Sequence, residues 1–158
     1  MNHDCINKLN SIKAEINNKI SVLGFNDYKP TIIAVSKTFT LDKIYPLIQY
    51  GHMHFGENKV QEAIQKWQNL KEKNKNIQLH MIGKLQTNKV KFVIGFFDYL
   101  HSVDNLKLAE KIANEQQKKN VRPKIFLQVN IGNEDQKSGV MVENLIHLYK
   151  SSIKDFNL

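Results

Sequence analysis

Thr31-Ile32-Ile33-Ala34-Val35-Ser36-Lys37-Thr38 decides how this chain folds. No charge interrupts it between Lys29 and Lys37, and its β-branched run has the composition of a strand buried on both faces, as in a parallel sheet. Lys37 stands at the exit of that strand. Burial and neighbouring groups there can lower the pKa of an amine and leave it nucleophilic, so that a Schiff base with an aldehyde is within its chemistry. A lysine closing a strand is also the ordinary solvated exit residue, and the stretch alone leaves both readings open.

Outward from this stretch, the composition suits a soluble domain: 158 residues, 41% hydrophobic, enough to bury a core. Residues 1–158 are expected to form one domain. No apolar run is long enough for a bilayer, and Met1-Asn2-His3-Asp4 does not open a signal peptide, so a cytoplasmic location without membrane attachment is expected. The single cysteine, Cys5, excludes an intramolecular disulfide. A formal charge of +8 invites a nucleic-acid partner, but only Arg122 of the 23 basic residues is arginine, the side chain whose fork reads phosphates and bases. No nucleic acid is expected.

Ile6, Leu9, Ile12, Ile16 and Ile20 put one apolar stripe on a helix over 4–21. Strand one follows at 31–36, then a helix capped by Thr40 with Gly51 at its exit, and strand two at 52–56. Val60, Ala63, Ile64, Trp67 and Leu70 mark an amphipathic helix that dissolves into Lys71–Asn76, before strand three at 77–82. Thr87 is read as the cap of a helix through Phe97, and strand four spans 99–103. Asp104 is read as the cap of the helix bearing Leu106, Ala109 and Ile112, strand five spans 124–130, and a last amphipathic stretch carries Met141, Leu145, Ile146 and Tyr149. Strands alternate with helices at intervals of roughly 20–28 residues, the pattern of βα units around a parallel sheet. Spacing does not separate a doubly wound sheet from a barrel. In both, the C-terminal strand ends line the ligand site, so Ser36-Lys37, Glu57-Asn58, Gly83-Lys84, Ser102, and Asn130 with Gly132 should meet at one mouth.

Six histidines do not amount to a metal site: His52 and His54 alternate on a short strand with no carboxylate or cysteine at ligand spacing, and strand-edge packing explains them. Gly83-Lys84-Leu85-Gln86-Thr87 lacks the spacer of a phosphate-binding P-loop. Glu57 fits either a general base or a carboxylate stabilised by a helix N-terminus, the latter being favoured. Asn58, an uncharged amide at a strand mouth, suits a hydrogen bond to a ligand hydroxyl.

Five ordered motifs lie within residues 31–140: Ala34-Val35-Ser36-Lys37-Thr38, Phe55-Gly56-Glu57-Asn58, His80 to Lys89, His101-Ser102-Val103-Asp104, and Leu127-Gln128-Val129-Asn130-Ile131 with Gln136-Lys137-Ser138-Gly139. Together they resemble the YggS/PROSC family of pyridoxal phosphate homeostasis proteins. The resemblance implies a (β/α)8 TIM barrel of the alanine-racemase type, with pyridoxal 5'-phosphate (PLP) held as an internal aldimine on Lys37. It further implies that Asn58 lies against the ring and that Ile82 and Ser102 border it. It implies no catalytic cycle, the family holding or delivering PLP, with PLP-dependent apo-enzymes as recipients.

A complete barrel takes about 250 residues, and the chain ends at Leu158. About five βα units are therefore expected here. The family's Gly-Ser-Thr phosphate loop and the arginine facing the pyridine nitrogen are expected outside them, which would weaken PLP binding. Two alternatives stand beside a PLP holder: an amino-acid racemase, which needs a second proton-transferring group opposite Lys37, and a fragment of a split PLP-binding protein without function of its own.

Overall fold

The apolar run at 31–36 pairs over only two residues, β1 (Ala34–Val35), in a computed structural model that describes residues 3–25, 27–134 and 136–158. Met1 and Asn2, the start of the leader reading, lie outside the described residues. Five strands form one parallel sheet in sequence order: β1, β2 (His54–Glu57), β3 (Gln78–Met81), β4 (Tyr99–Val103) and β5 (Lys124–Leu127). Consecutive parallel neighbours require a crossover at every step. These are supplied by α2 (Leu41–Gln49), α3 (Val60–Lys73), a 3-10 turn at Thr87–Lys89 running into α4 (Val90–Val93), and α5 (Leu106–Lys119). An N-terminal α1 (Asp4–Leu23) precedes the sheet. Beyond it, β6 (Val129–Asn130) pairs with β7 (Val140–Met141), followed by α6 (Val142–Lys154). The βα alternation predicted such a parallel sheet, and the resemblance to the family implied that it is a partial α/β barrel wall.

The register separates two faces. Ala34 pairs with Phe55 and Phe55 with Leu79, while Glu57 pairs with Met81, Met81 with Leu100 and Leu100 with Ile125. This face meets the helices: Phe55, Leu79, Met81 and Leu100 are fully buried with Ala63, Trp67, Val90, Val93 and Ile112. The other face carries the row Val35, Gly56, His80, Tyr99, Lys124, which in a closed barrel is the interior.

Several local expectations are corrected. Strand one is not sealed on both faces: β1 pairs only with β2, and Val35 is 48% exposed. The α1 stripe buries only Leu9, because α2 covers just part of it and Ile12 stays exposed. Asp104 does not cap α5. Asn105 does, accepting the Leu108 N–H at 2.9 Å, while Asp104 accepts from the Asn105 side chain and the Gly139 N–H. Thr87 lies inside the 3-10 turn, whose preceding residue is Gln86. Strand five divides at Gln128, whose N–H bonds to Val103 of the main sheet and whose carbonyl accepts from Val140 of the small one. Among the described residues, no helix is long and apolar enough to cross a membrane.

Candidate functional site

Parallel strands bring their C-terminal ends to one rim, and the residues singled out at those ends follow them there. Lys37 comes two residues after the last paired residue of β1, behind Ser36, and is exposed. The residue before it is fixed on every side. Ser36 is 3% exposed; its N–H and hydroxyl reach the Gly56 carbonyl at 2.9 and 3.3 Å, and the same hydroxyl donates to Glu57 Oε1 at 2.7 Å. The Ser36 carbonyl accepts from Lys66 Nζ at 2.8 Å and from the Phe39 N–H at 3.2 Å. After Lys37 the chain turns through Thr38, at φ 69°, a left-handed conformation that a β-branched residue rarely adopts.

Asn58 and Ile82 lie on the adjacent strand ends and are half-buried. Gly83 holds them close, since a Cβ there would sit 2.2 Å from the Asn58 carbonyl oxygen. Only glycine permits this approach of the two backbones. At Gly56 a Cβ would meet Ile33 and Ile82, each at 3.2 Å, so these two side chains fill the interior beneath the rim between β1 and β3. Ser102 sits differently. It lies between Leu100 and Val103, where a register irregularity interrupts the pairing with β5, and its buried Oγ has no hydrogen-bond partner among the described residues. Irregularities of this kind re-aim side chains next to sites. Further along the rim, a cleft of about 410 Å³ is lined by Ile82, Lys84, Gln128, Asn130 and Lys137 among others.

Glu57 is neither an exposed general base nor a helix-terminus carboxylate. It is 2% exposed, and besides Ser36 it accepts from Lys66 Nζ and from Trp67 Nε1, both at 2.9 Å. The favoured sequence reading is corrected: the carboxylate faces α3 beside Trp67, away from solvent. Trp67 was expected only as a core residue. The signal for the second role is a buried glutamate nine residues before a Lys-Trp pair, visible once the helix is placed.

Below the rim, His54, His80 and His101 form a cross-strand ladder. His54 Nδ1 lies 3.0 Å from His80 Nε2, and His80 Nδ1 lies 3.0 Å from His101 Nε2. Tyr99 stacks on His80 at 4.1 Å between ring centroids, and Phe126 stacks on His101 at 4.6 Å. Burial, reinforced by the two flanking imidazoles, pushes His80 down to about 4; burial also lowers His54 and His101. Both nitrogens of His80 are engaged by neighbouring rings, which leaves it no lone pair for a metal. Among the described residues no group of three or more His, Cys, Asp or Glu is arranged to hold a metal ion.

An open wall of five βα units, with a lysine at the end of the first strand and an interior face of its own, defines a protein of the (β/α) barrel class. More narrowly, the chain belongs to the family of the alanine racemase N-terminal domain, which matches residues 9–155. Among curated proteins it is 40% identical over 120 residues to the pyridoxal phosphate homeostasis protein of Pasteurella multocida, covering 75% of this chain and 51% of that one. The resemblance to the YggS/PROSC family is borne out by such relatives. The structure of PipY from Synechococcus elongatus with PLP bound superposes with a TM-score of 0.72 at 31% identity, over 84% of this chain and 62% of that one. Alanine racemase of Clostridium difficile shares the fold alone, with a TM-score of 0.60 at 16% identity over 90% of this chain and 37% of the enzyme. The chain spans about half to three fifths of the curated relatives it matches.

The residues present fit a PLP aldehyde in one respect. A primary amine is exposed at a strand end whose backbone is immobilised on both sides, next to a half-buried amide and a half-buried apolar side chain.

Proposed function

We propose that this chain holds PLP covalently through Lys37 and takes part in keeping the cofactor available inside the cell, without a catalytic cycle of its own. The observation that carries it is the placement of Lys37: an exposed amine following a residue whose N–H, hydroxyl and carbonyl are all engaged. PLP supplies an aldehyde that condenses with a primary amine, losing one water. Against it, this chain contributes the amine and an amide at Asn58 suited to a hydrogen bond with a ring substituent. Ile82 is assigned to flank the ring, and Ser102, with its unpartnered hydroxyl, to border the site. The PLP bound in PipY supports the assignment of cofactor. Residues 1–158 are read as one PLP-binding unit, cytoplasmic, with PLP-dependent apo-enzymes as recipients.

Without a turnover, the protein needs only to bind and release. Racemisation requires a second proton-transferring group on the opposite face of the substrate, and Lys37 serves one face at most. Two measurements test the proposal. Addition of PLP should give visible absorbance, and borohydride should fix the label on Lys37; Lys37→Ala should abolish both. Alanine in deuterated water should show no Lys37-dependent exchange at Cα. Label spread over many lysines and unchanged in Lys37→Ala overturns the assignment of Lys37, and rapid Lys37-dependent exchange overturns the absence of catalysis.

A further inference from the structure

We propose that Glu57 is the positioning residue for Lys37, acting through Ser36 together with Lys66; the inference deepens the reading of Lys37 as the PLP-bearing amine and rests on it. β1 is paired over two residues and only to β2, so backbone hydrogen bonding alone holds the start of the Lys37 turn weakly. Glu57 closes that gap from the helix side. Its Oε1 gathers three donors, the Ser36 hydroxyl, Lys66 Nζ and Trp67 Nε1, and Lys66 passes on to the Ser36 carbonyl. A square of charge-assisted contacts thus ties α3 and the end of β2 to the residue preceding Lys37.

Stability alone is a poor explanation for this arrangement. The remaining members of the Glu57 row are Met81, Leu100 and Ile125, and an apolar residue in that row would avoid desolvating a carboxylate and an ammonium. What ions and their fixed donors supply is direction. Ser36 has no hydrogen-bonding group left to choose another partner, and the left-handed Thr38 fixes the exit on the other side. The Lys37 backbone is therefore set before any ligand arrives, and only its flexible side chain must be ordered on binding.

The test uses Glu57→Gln, Lys66→Met and Lys66→Arg beside the unaltered chain, with far-UV circular dichroism to compare folds. Amide exchange over residues 36–39 is measured without PLP, and the share of borohydride-fixed label on Lys37 against all other lysines is read by mass spectrometry after PLP addition. Loss of a charge-assisted contact should accelerate exchange in that turn by about tenfold. The Lys37 share should fall several-fold in Glu57→Gln and Lys66→Met and be largely restored in Lys66→Arg. Exchange and label share within twofold of the unaltered chain in a folded Glu57→Gln overturn the proposal. Should Glu57→Gln fail to fold, Ser36→Ala, which removes one hydroxyl, is read by the same criteria. If the unaltered chain itself leaves Lys37 unlabelled, the PLP reading fails, while the exchange rates still decide whether Glu57 fixes the turn.

Discussion

The two faces of the five-strand sheet are filled by different physics. On the helix side, Phe55, Leu79, Met81 and Leu100 are removed from water entirely by Trp67, Val90, Val93 and their neighbours, and close packing supplies the stabilisation. On the interior side the sheet is held laterally, by imidazoles bonded strand to strand and by rings stacked on them, with Phe126 still 50% exposed. A packed face tolerates little change in shape, whereas a laterally bonded face can leave room above it. The candidate site lies along the rim of that second face, and the Glu57–Lys66 pair carries charge into the first.

Breaking the packed face should have the largest effect. Trp67→Ala removes a fully buried indole and one of the three donors to Glu57, and should cost about 3–5 kcal/mol in urea unfolding. A loss below about 1 kcal/mol would mean that α3 does not seal the sheet as described. The interior face should instead be acid-sensitive. Burial, with the two flanking imidazoles, pushes His80 down from the ordinary 6.5 to about 4 in the folded protein. A depressed folded pKa means that the unfolded chain takes up the proton first. The associated stability is therefore full above pH 6.5 and is lost as the pH falls towards 4. Urea midpoints at pH 7 and pH 4.5 measure this, and His80→Gln should flatten the difference; an equal acid loss in that variant would assign the sensitivity elsewhere. The smallest effect is expected at the open end of the ladder. Phe126→Ala forfeits a half-exposed stack on His101 and should cost about 0.5–1.5 kcal/mol in the same assay, so a loss as large as that of Trp67→Ala would erase the contrast between the faces.

The periodicities announced the alternating elements because each helix presents a stripe and each strand a short apolar run, and Tyr99–Val103 emerges with its predicted bounds. Strand one misled because a run such as Thr31–Val35 reports apolar character and not the number of neighbours, and only the pairing partner limits it to Ala34–Val35. Asp104 and Asn105 are equally good caps on paper; the extended backbone at Asn105 decides between them. At the site, Lys37, Asn58 and Ile82 were legible as strand ends. The tie from Ser36 through Glu57 to Lys66 was not, because it joins three elements by side chains whose meeting depends on the twist of β2 against α3. Likewise, the histidines read singly as strand-edge packing prove to be bonded to one another.

That ladder is two-valued. A neutral imidazole carries one N–H, and His80 spends one nitrogen on each neighbour. If His80 donates towards His54, then His101 must donate towards His80, and all three rings carry their protons on Nε2. If His80 donates towards His101, all three carry them on Nδ1. Mixed patterns set two lone pairs or two protons against each other. The sheet interior thus holds a row of three dipoles aligned head to tail from β2 to β4, and reversing any one of them requires reversing them all.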